Sequence, residues 1–439
     1  MRLHVILTTA VLFAPAAFGS QVDDGVAYEF EPEGFQASGI LAIQVGVAET
    51  MSDAGTLRHA VILVENGKIV TIGEDLPIER GVPVLDKDPE WVVMPGLIDA
   101  YSRLGLDSRA GNEFNPTGSI LPELYPKSEI YADILEFGVT TLGLYPSGNS
   151  VPGQASVVQP IGSTKDEMVL ENESYLKIVM ESNSRAKRTL RSAWSKVEKY
   201  EEKDKKARVK WEKAQEKDKK KKKKKKSKDK DKDKDKDKDK DKGEEEYQSL
   251  KPEPDVKVLL DLVAGEKTAL ISIRKAADYL HFLDALDDNE IDYALRLTLT
   301  RESDFFNIAE RVGEVGCPVI LEPSITLHPG TMRQRNLPAE FAEAGASLVL
   351  IPRADNSASL RDWLLHTSQL VSAGLDRDVA LAALTIEPAK LLGIDEQLGS
   401  LENDKTANMV FFNGDPLEVG TRIEAVMING KFEFTREEL

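Results

Sequence analysis

The sequence predicts an α/β protein built around a (β/α)8 TIM-like barrel, and three observations carry that reading. After Pro95, apolar strands alternate with helical stretches over about 300 residues, a length and pattern that suit a parallel sheet closed into an eight-fold ring. Before it, residues 38–93 hold short apolar runs broken by Glu65-Asn66-Gly67, a tight-turn signal that marks a small antiparallel β region. After it, the tail returns to short strands joined at Asn429-Gly430.

Within the central region, the strands are read from apolar, β-branched runs: residues 138–144, 268–273, 293–299, 318–321 and 347–351. Residues 304–315 and 360–373 read as helices between them. With 439 residues and 41% hydrophobic content the chain can build a sizeable core. Cys317 is the single cysteine, so no internal disulfide forms, and its place before Pro318-Val319-Ile320-Leu321 makes it a buried structural thiol.

Residues 1–20 read as a cleavable secretory signal peptide: a basic start, an apolar stretch from Val5 to Phe18, and Ala17-Phe18-Gly19 as a small-x-small cleavage pattern. The apolar run of roughly 14 residues is short of the ~20 needed to span a bilayer. The expected location is periplasmic or secreted, with no transmembrane segment. The net charge of -18 is uneven. Residues 201–246 carry 23 Lys/Arg against 16 Asp/Glu, which leaves the remainder at -25. Lys219 to Lys226 is an unbroken lysine run, followed by strict Lys-Asp alternation to Lys242. Residues 201–250 therefore read as a solvated low-complexity insert, preceded by an amphipathic helix with Leu190, Trp194, Val197 and Tyr200 on one face. Its partner, if it serves as a handle, is an anionic surface. A specific nucleic-acid site is not indicated, because the interleaved aspartates cancel much of the field.

Three segments together resemble the amidohydrolase superfamily, in its imidazolonepropionase-like branch. They are Val64-Glu65-Asn66-Gly67-Lys68-Ile69-Val70; Val92-Val93-Met94-Pro95-Gly96-Leu97-Ile98-Asp99-Ala100; and a C-terminal series running from Thr385-Ile386-Glu387-Pro388-Ala389 through Gly399-Ser400-Leu401 to Gly414-Asp415-Pro416-Leu417. The resemblance implies a barrel over residues 94–398 and a β-sandwich assembled from residues 21–93 and 399–439. It also implies one or two divalent ions, zinc or another, at the barrel's C-terminal mouth. There the metal would lower the pKa of bound water for hydrolysis of non-peptide C-N bonds.

The departures bear on that activity. Where the family places His-x-His after Pro-Gly-Leu-Ile-Asp-Ala, this chain has Tyr101 and Arg103, and arginine offers no lone pair. The later ligand strands read Ile273-Arg274 and Thr300-Arg301 where histidines would stand. Asp355 corresponds to the strand-eight aspartate. His4 leaves with the signal peptide, His59 falls in the β region, and His281 and His366 fall in helices, which leaves His328 facing the mouth. The sequence thus predicts no metal ligands and no cofactor. Binding residues are Tyr101, Arg103, Arg274, Arg301 and Arg353, and acid-base candidates are Asp355, Glu322 and His328. Arg103 is expected to pair with an acidic neighbour, foremost Asp355. Two readings follow for a small molecule in the mouth: a pseudoenzyme or binding protein, or a C-N hydrolase with a rearranged metal site or a metal-free one. A homo-oligomer is compatible with either.

Overall fold

A computed structural model of the chain describes residues 39–86, 89–106, 114–228 and 246–436, so the signal-peptide reading and most of the Lys-Asp alternation lie outside the described residues. Among the described residues no helix is long and apolar enough to cross a membrane.

The central ring begins with parallel strands Leu97–Ser102 and Val139–Leu144. Five more parallel members follow: Tyr175–Val179, Thr268–Ile273, Tyr293–Leu297, Val319–Leu321 and Leu348–Leu350. Between the two groups, Gly153–Gln154 and Ser156–Val158 form one extended segment that pairs antiparallel with both neighbours. Only residues 145–152 connect it to the preceding strand, and a parallel crossover needs roughly a dozen residues, so the chain reverses instead. The ring closes through residues 383 and 384. Leu350 N donates to Ala383 O at 2.9 Å and Ile98 N donates to Leu384 O at 3.0 Å. Residues 383 and 384 thus bridge the last strand to the first, and one member of the ring runs reversed relative to the uniform direction expected.

Side chains alternate along a strand, and this sorts the interior into layers. Ile98, Tyr175, Leu270, Ala294, Ile320 and Val349 fill an apolar layer, sealed from below by Ala389, Leu391 and Leu392 of helix Ile386–Leu392. Two residues further along four of these strands stand Lys177, Ser272, Arg296 and Glu322. The apolar register thus lifts a polar layer toward the C-terminal end of the ring.

Both chain ends supply an eight-stranded sheet. Strands Ile40–Glu49, Thr56–Glu65, Lys68–Glu74, Val84–Asp86 and Val92–Pro95 come from the N-terminal side, and Met409–Phe412, Ile423–Ile428 and Lys431–Thr435 from the other. A bridge from Lys68 to Thr406 brings its far edge back, so the sheet rolls over Ile43, Ile62, Ile69, Met409 and Phe411. Its glycine motifs have steric causes. A Cβ at Gly67 would stand 2.7 Å from Asn429 O, and one at Gly96 would stand 2.1 Å from Thr140 Oγ1. Asp415 of the Gly-Asp-Pro-Leu motif joins the two parts, accepting from Arg377 Nη2 at 2.8 Å while the same nitrogen meets Glu49 at 2.8 Å.

Residues 184–200 form the expected amphipathic helix, but the helix does not stop there. It runs as one element over Ser184–Lys228 and takes the first half of the insert with it. Leu190, Ala193, Trp194 and Val197 are buried against the barrel. Further out, Asp204 Oδ1 accepts from Leu250 N at 2.6 Å and Tyr247 Oη at 3.0 Å, so the returning chain lies along the helix. Ion pairs Glu202–Lys206, Arg208–Glu212 and Glu216–Lys220 at i,i+4 spacing support the exposed part. Trp194, 2% exposed, anchors it, whereas Val209 is 41% exposed. Trp194→Ala is expected to lower unfolding free energy by about 3–5 kcal/mol in a urea titration, while Val209→Ala stays within ~0.5 kcal/mol.

Candidate functional site

The polar layer collects charge that an apolar barrel can hold only in compensated form. Arg296 is 7% exposed, and its guanidinium is in contact with Glu322 Oε1 and with Leu297 O. Glu322 also accepts from Leu299 N at 3.3 Å, so both of its oxygens are engaged. The Arg296 guanidinium lies 5.1 Å from the Tyr101 ring centre. Tyr101 in turn stacks on Tyr145, with ring centres 3.6 Å apart and planes within 13°. Burial raises both phenols, so both stay protonated at neutral pH, and Tyr101 hydrogen-bonds to Ser272 and Tyr145.

Lys177 sits beside this stack. It is 4% exposed, its Nζ is 4.1 Å from the Tyr145 ring centre and 5.3 Å from that of Tyr101, and it donates to Pro146 O at 3.2 Å. Burial, with Arg103 and Arg296 nearby, pulls its pKa down to about 7. Asp99 is 1% exposed, and burial next to Asp355 pushes its carboxyl up to about 7, against hydrogen bonds from Tyr101 N and Ser102. Asp355 stands at the rim, open to solvent on one side. Its carboxyl is still held above the ordinary value by burial, with Arg103 and Arg296 opposing.

Arg103 meets Asp355 through its backbone: Arg103 N donates to Asp355 Oδ1 at 3.1 Å. Its guanidinium donates to Tyr145 O at 2.8 Å and stands 3.6 Å from Glu123 Oε2, while remaining close enough to favour the ionised form of Asp355. A cavity of about 480 Å³ opens here, lined by Arg103, Leu106, Glu123, Tyr125, Asp355 and Asn356 among others.

The other sequence candidates lie elsewhere. Arg274 and Arg301 are exposed. Arg353 donates from Nη2 to Pro323 O at 2.8 Å and approaches His366 Nε2 at 2.8 Å. His328 sits in a small ribbon, its ring 5.0 Å from Phe306 and its Nδ1 3.3 Å from Arg335. Cys317 is buried and its thiol is pushed up to about 12, in keeping with an inert core residue. The sequence reading did not single out Lys177, Arg296 or Tyr145. The signal that finds Lys177 and Arg296 is a lone cation inside an apolar strand, in Tyr175-Leu176-Lys177-Ile178-Val179 and Ala294-Leu295-Arg296-Leu297.

A divalent ion requires several lone-pair donors at one point. Among the described residues no group of three or more His, Cys, Asp or Glu converges in that way. The groups at the mouth are two cations, a lysine, two protonated phenols, and carboxylates of which Glu322 is already engaged.

The titrations and the ion pair give measurable consequences. Lys177 is charged when unfolded up to its ordinary 10.5 but only below about 7 when folded, so the unfolded chain binds the extra proton between those values. Stability contributed by Lys177 is present above pH ~10.5 and lost as pH falls through about 7; Lys177→Met should flatten that rise in a pH series of urea titrations. Asp99 has the opposite sign: its folded pKa is raised from 3.8 to about 7, so stability falls with pH across that window and Asp99→Asn removes the slope. Arg296→Met, which strands Glu322, is expected to cost about 3–5 kcal/mol, with most of it recovered in Arg296→Met/Glu322→Leu.

The C-terminal quarter, residues 334–432, matches the amidohydrolase family model. Among solved structures, an amidohydrolase from Thermotoga maritima MSB8 superposes with a TM-score of 0.68 at 19% identity, covering 90% of this chain and 100% of that one. A β-aspartyl dipeptidase from Fervidobacterium islandicum AW-1, solved with a β-Asp-Leu dipeptide, gives a TM-score of 0.51 at 12% identity, covering 92% and 99%. No curated protein matches the chain in sequence. The resemblance read from the motifs is borne out: this is a chain of amidohydrolase fold, barrel and two-ended sheet together, whose C-terminal quarter carries the amidohydrolase family's signature.

Proposed function

We propose that this protein is an exported, metal-free member of the amidohydrolase fold that binds a small polar molecule at the barrel mouth. The observation that carries the reading is the Arg296–Glu322 pair. It places a buried guanidinium inside the mouth and occupies a carboxylate that could otherwise serve as a ligand. Arg296 stands near enough to Asp99, and Arg103 and Arg296 to Asp355, to favour their ionised forms, so the carboxylates have nearby protein cations. A dication inserted among these groups would be repelled by the two guanidiniums, and by Lys177 when it is protonated, and met by few free lone pairs. The cavity beside Arg103, Glu123 and Asp355 offers both signs of charge and suits a compact polar ligand. Metal analysis of protein purified without chelator and dialysed against zinc tests this. Sub-stoichiometric zinc is expected, and one zinc per chain, lost on Asp99→Asn/Asp355→Asn, would overturn it.

A second reading rests on the adjacent carboxyls Asp99 and Asp355, one of them with a pKa near 7, which could exchange protons in a hydrolysis that needs no metal. Glu322, tied to Arg296, and His328, held by Arg335, are less suited to that role. Turnover of amide or cyclic C-N substrates by metal-depleted protein, abolished by Asp99→Asn, would favour it.

A further inference from the structure

We infer that one lysine-lined face of helix Ser184–Lys228 is a docking surface for a linear acidic polysaccharide, with a lysine for each carboxylate-bearing sugar.

The spacing carries the inference. From Lys196 through Lys199, Lys203 and Lys206 to Lys220, lysines recur without a break at alternating intervals of three and four residues, the spacing that returns a helix to one face. They form two adjacent rows. At a helical rise of about 1.5 Å per residue the stripe is about 36 Å long and offers a lysine about every 5 Å. Every one of these lysines is exposed. Lys206 and Lys220 pair with Glu202 and Glu216 on the flank, whereas among the described residues Lys199, Lys203, Lys210, Lys213 and Lys217 make no ion pair. Like charges three and four apart oppose helix formation, and a polyanion laid along the stripe relieves that repulsion. The packing of the helix uses other faces: Leu190, Trp194 and Val197 meet the barrel, and Asp204 holds the returning chain.

A concavity lies at the foot of the stripe. Arg185, Thr189 and Ser192 continue the same three-and-four spacing toward the start of the helix, and together with Arg188, Lys196 and Phe114 they line a cavity of about 360 Å³. Lys196 Nζ stands 4.8 Å from the Phe114 ring centre. Outside residues 201–246 the chain carries -25, so a polyanion is drawn to this stripe and held off the acidic remainder.

Shape and chemistry select among polyanions. A flat anionic membrane meets the stripe but does not enter the cavity at its foot, and no apolar side chain stands on the stripe to insert into lipid. The stripe also carries no aromatic ring on which a nucleobase could stack, since Trp211 is turned toward Tyr247, with ring centres 5.8 Å apart. A 1,4-linked polyuronate has one carboxylate per sugar at a repeat close to the lysine spacing. Its carboxylates alternate between the two edges of the chain as the lysines alternate between two rows, and its end is narrow enough for the cavity.

The test is calorimetric titration of the whole chain with β-1,4-linked oligomannuronates of graded length at about 0.1 M salt. Affinity is expected to rise with length up to about seven sugars, the number that spans the stripe, and then to level off. Lys203→Gln/Lys210→Gln/Lys217→Gln should weaken binding at least about tenfold. Lys205→Gln/Arg208→Gln/Lys219→Gln, which removes the same charge from the far side of the helix, should weaken it less than about threefold. Glutamine keeps helix propensity, and circular dichroism checks that both variants hold the helix. Equal weakening by the two triple variants, or no binding at about 1 mM oligomer, overturns the inference. Tighter binding of duplex DNA, or of phosphatidylglycerol vesicles, at equal anion concentration overturns the polysaccharide as partner.

Discussion

The structure turns on the compensation of charge inside a closed apolar ring. A barrel interior can hold ionised groups only when each finds an opposite charge or a hydrogen bond, because the alternative costs several kcal/mol per ion. Here Arg296 and Glu322 meet that demand directly, and their position is dictated by strand alternation from Ala294 and Ile320 in the layer below. Around the pair, Tyr101 and Tyr145 stack, Arg103 closes over Tyr145 O, and Asp355 caps the rim against Arg103 N. Asp99, Asp355 and Lys177 remain incompletely compensated, and the titration of each moves toward neutrality.

The barrel does not stand alone. Its first strand follows directly on Val92–Pro95 of the sheet, and Gly96 exists as glycine because Thr140 leaves no room for a side chain. Arg377 ties Glu49 and Asp415 together across the same junction. A motif that resembles a catalytic family signature thus has a mechanical basis here: the Gly-Asp-Pro-Leu run holds the sheet against the barrel, at a distance from the mouth chemistry.

Much of the architecture was legible in the sequence. Strand positions in the second half of the barrel follow from apolar runs, and the hairpin turns at Asn66-Gly67 and Asn429-Gly430 adopt the left-handed backbone their residues favour. The reversed third member was not legible, since Gly153–Gln154 and Ser156–Val158 are short and carry no direction of their own. The helix through the lysine run was missed because composition argued against burial, whereas the helix needs burial only at Leu190, Trp194 and Val197 to be held at its root. At the site, Tyr101, Arg103 and Asp355 were found from motif position. The arginines chosen at strand ends, Arg274 and Arg301, are exposed because they lie past the last residues of their strands, Ile273 and Leu297, whereas the polar layer is reached two residues after the apolar one, at Ser272 and Arg296.

The central claim is that protein cations, and no metal ion, neutralise the barrel mouth. Its most direct measurement is anomalous diffraction from crystals grown with excess zinc. The account predicts the Arg296 guanidinium between Glu322 and the Tyr101 ring, and no anomalous peak within ligand distance of Asp99 or Asp355. A zinc peak coordinated by those two carboxylates, with Arg296 displaced from Glu322, would contradict it.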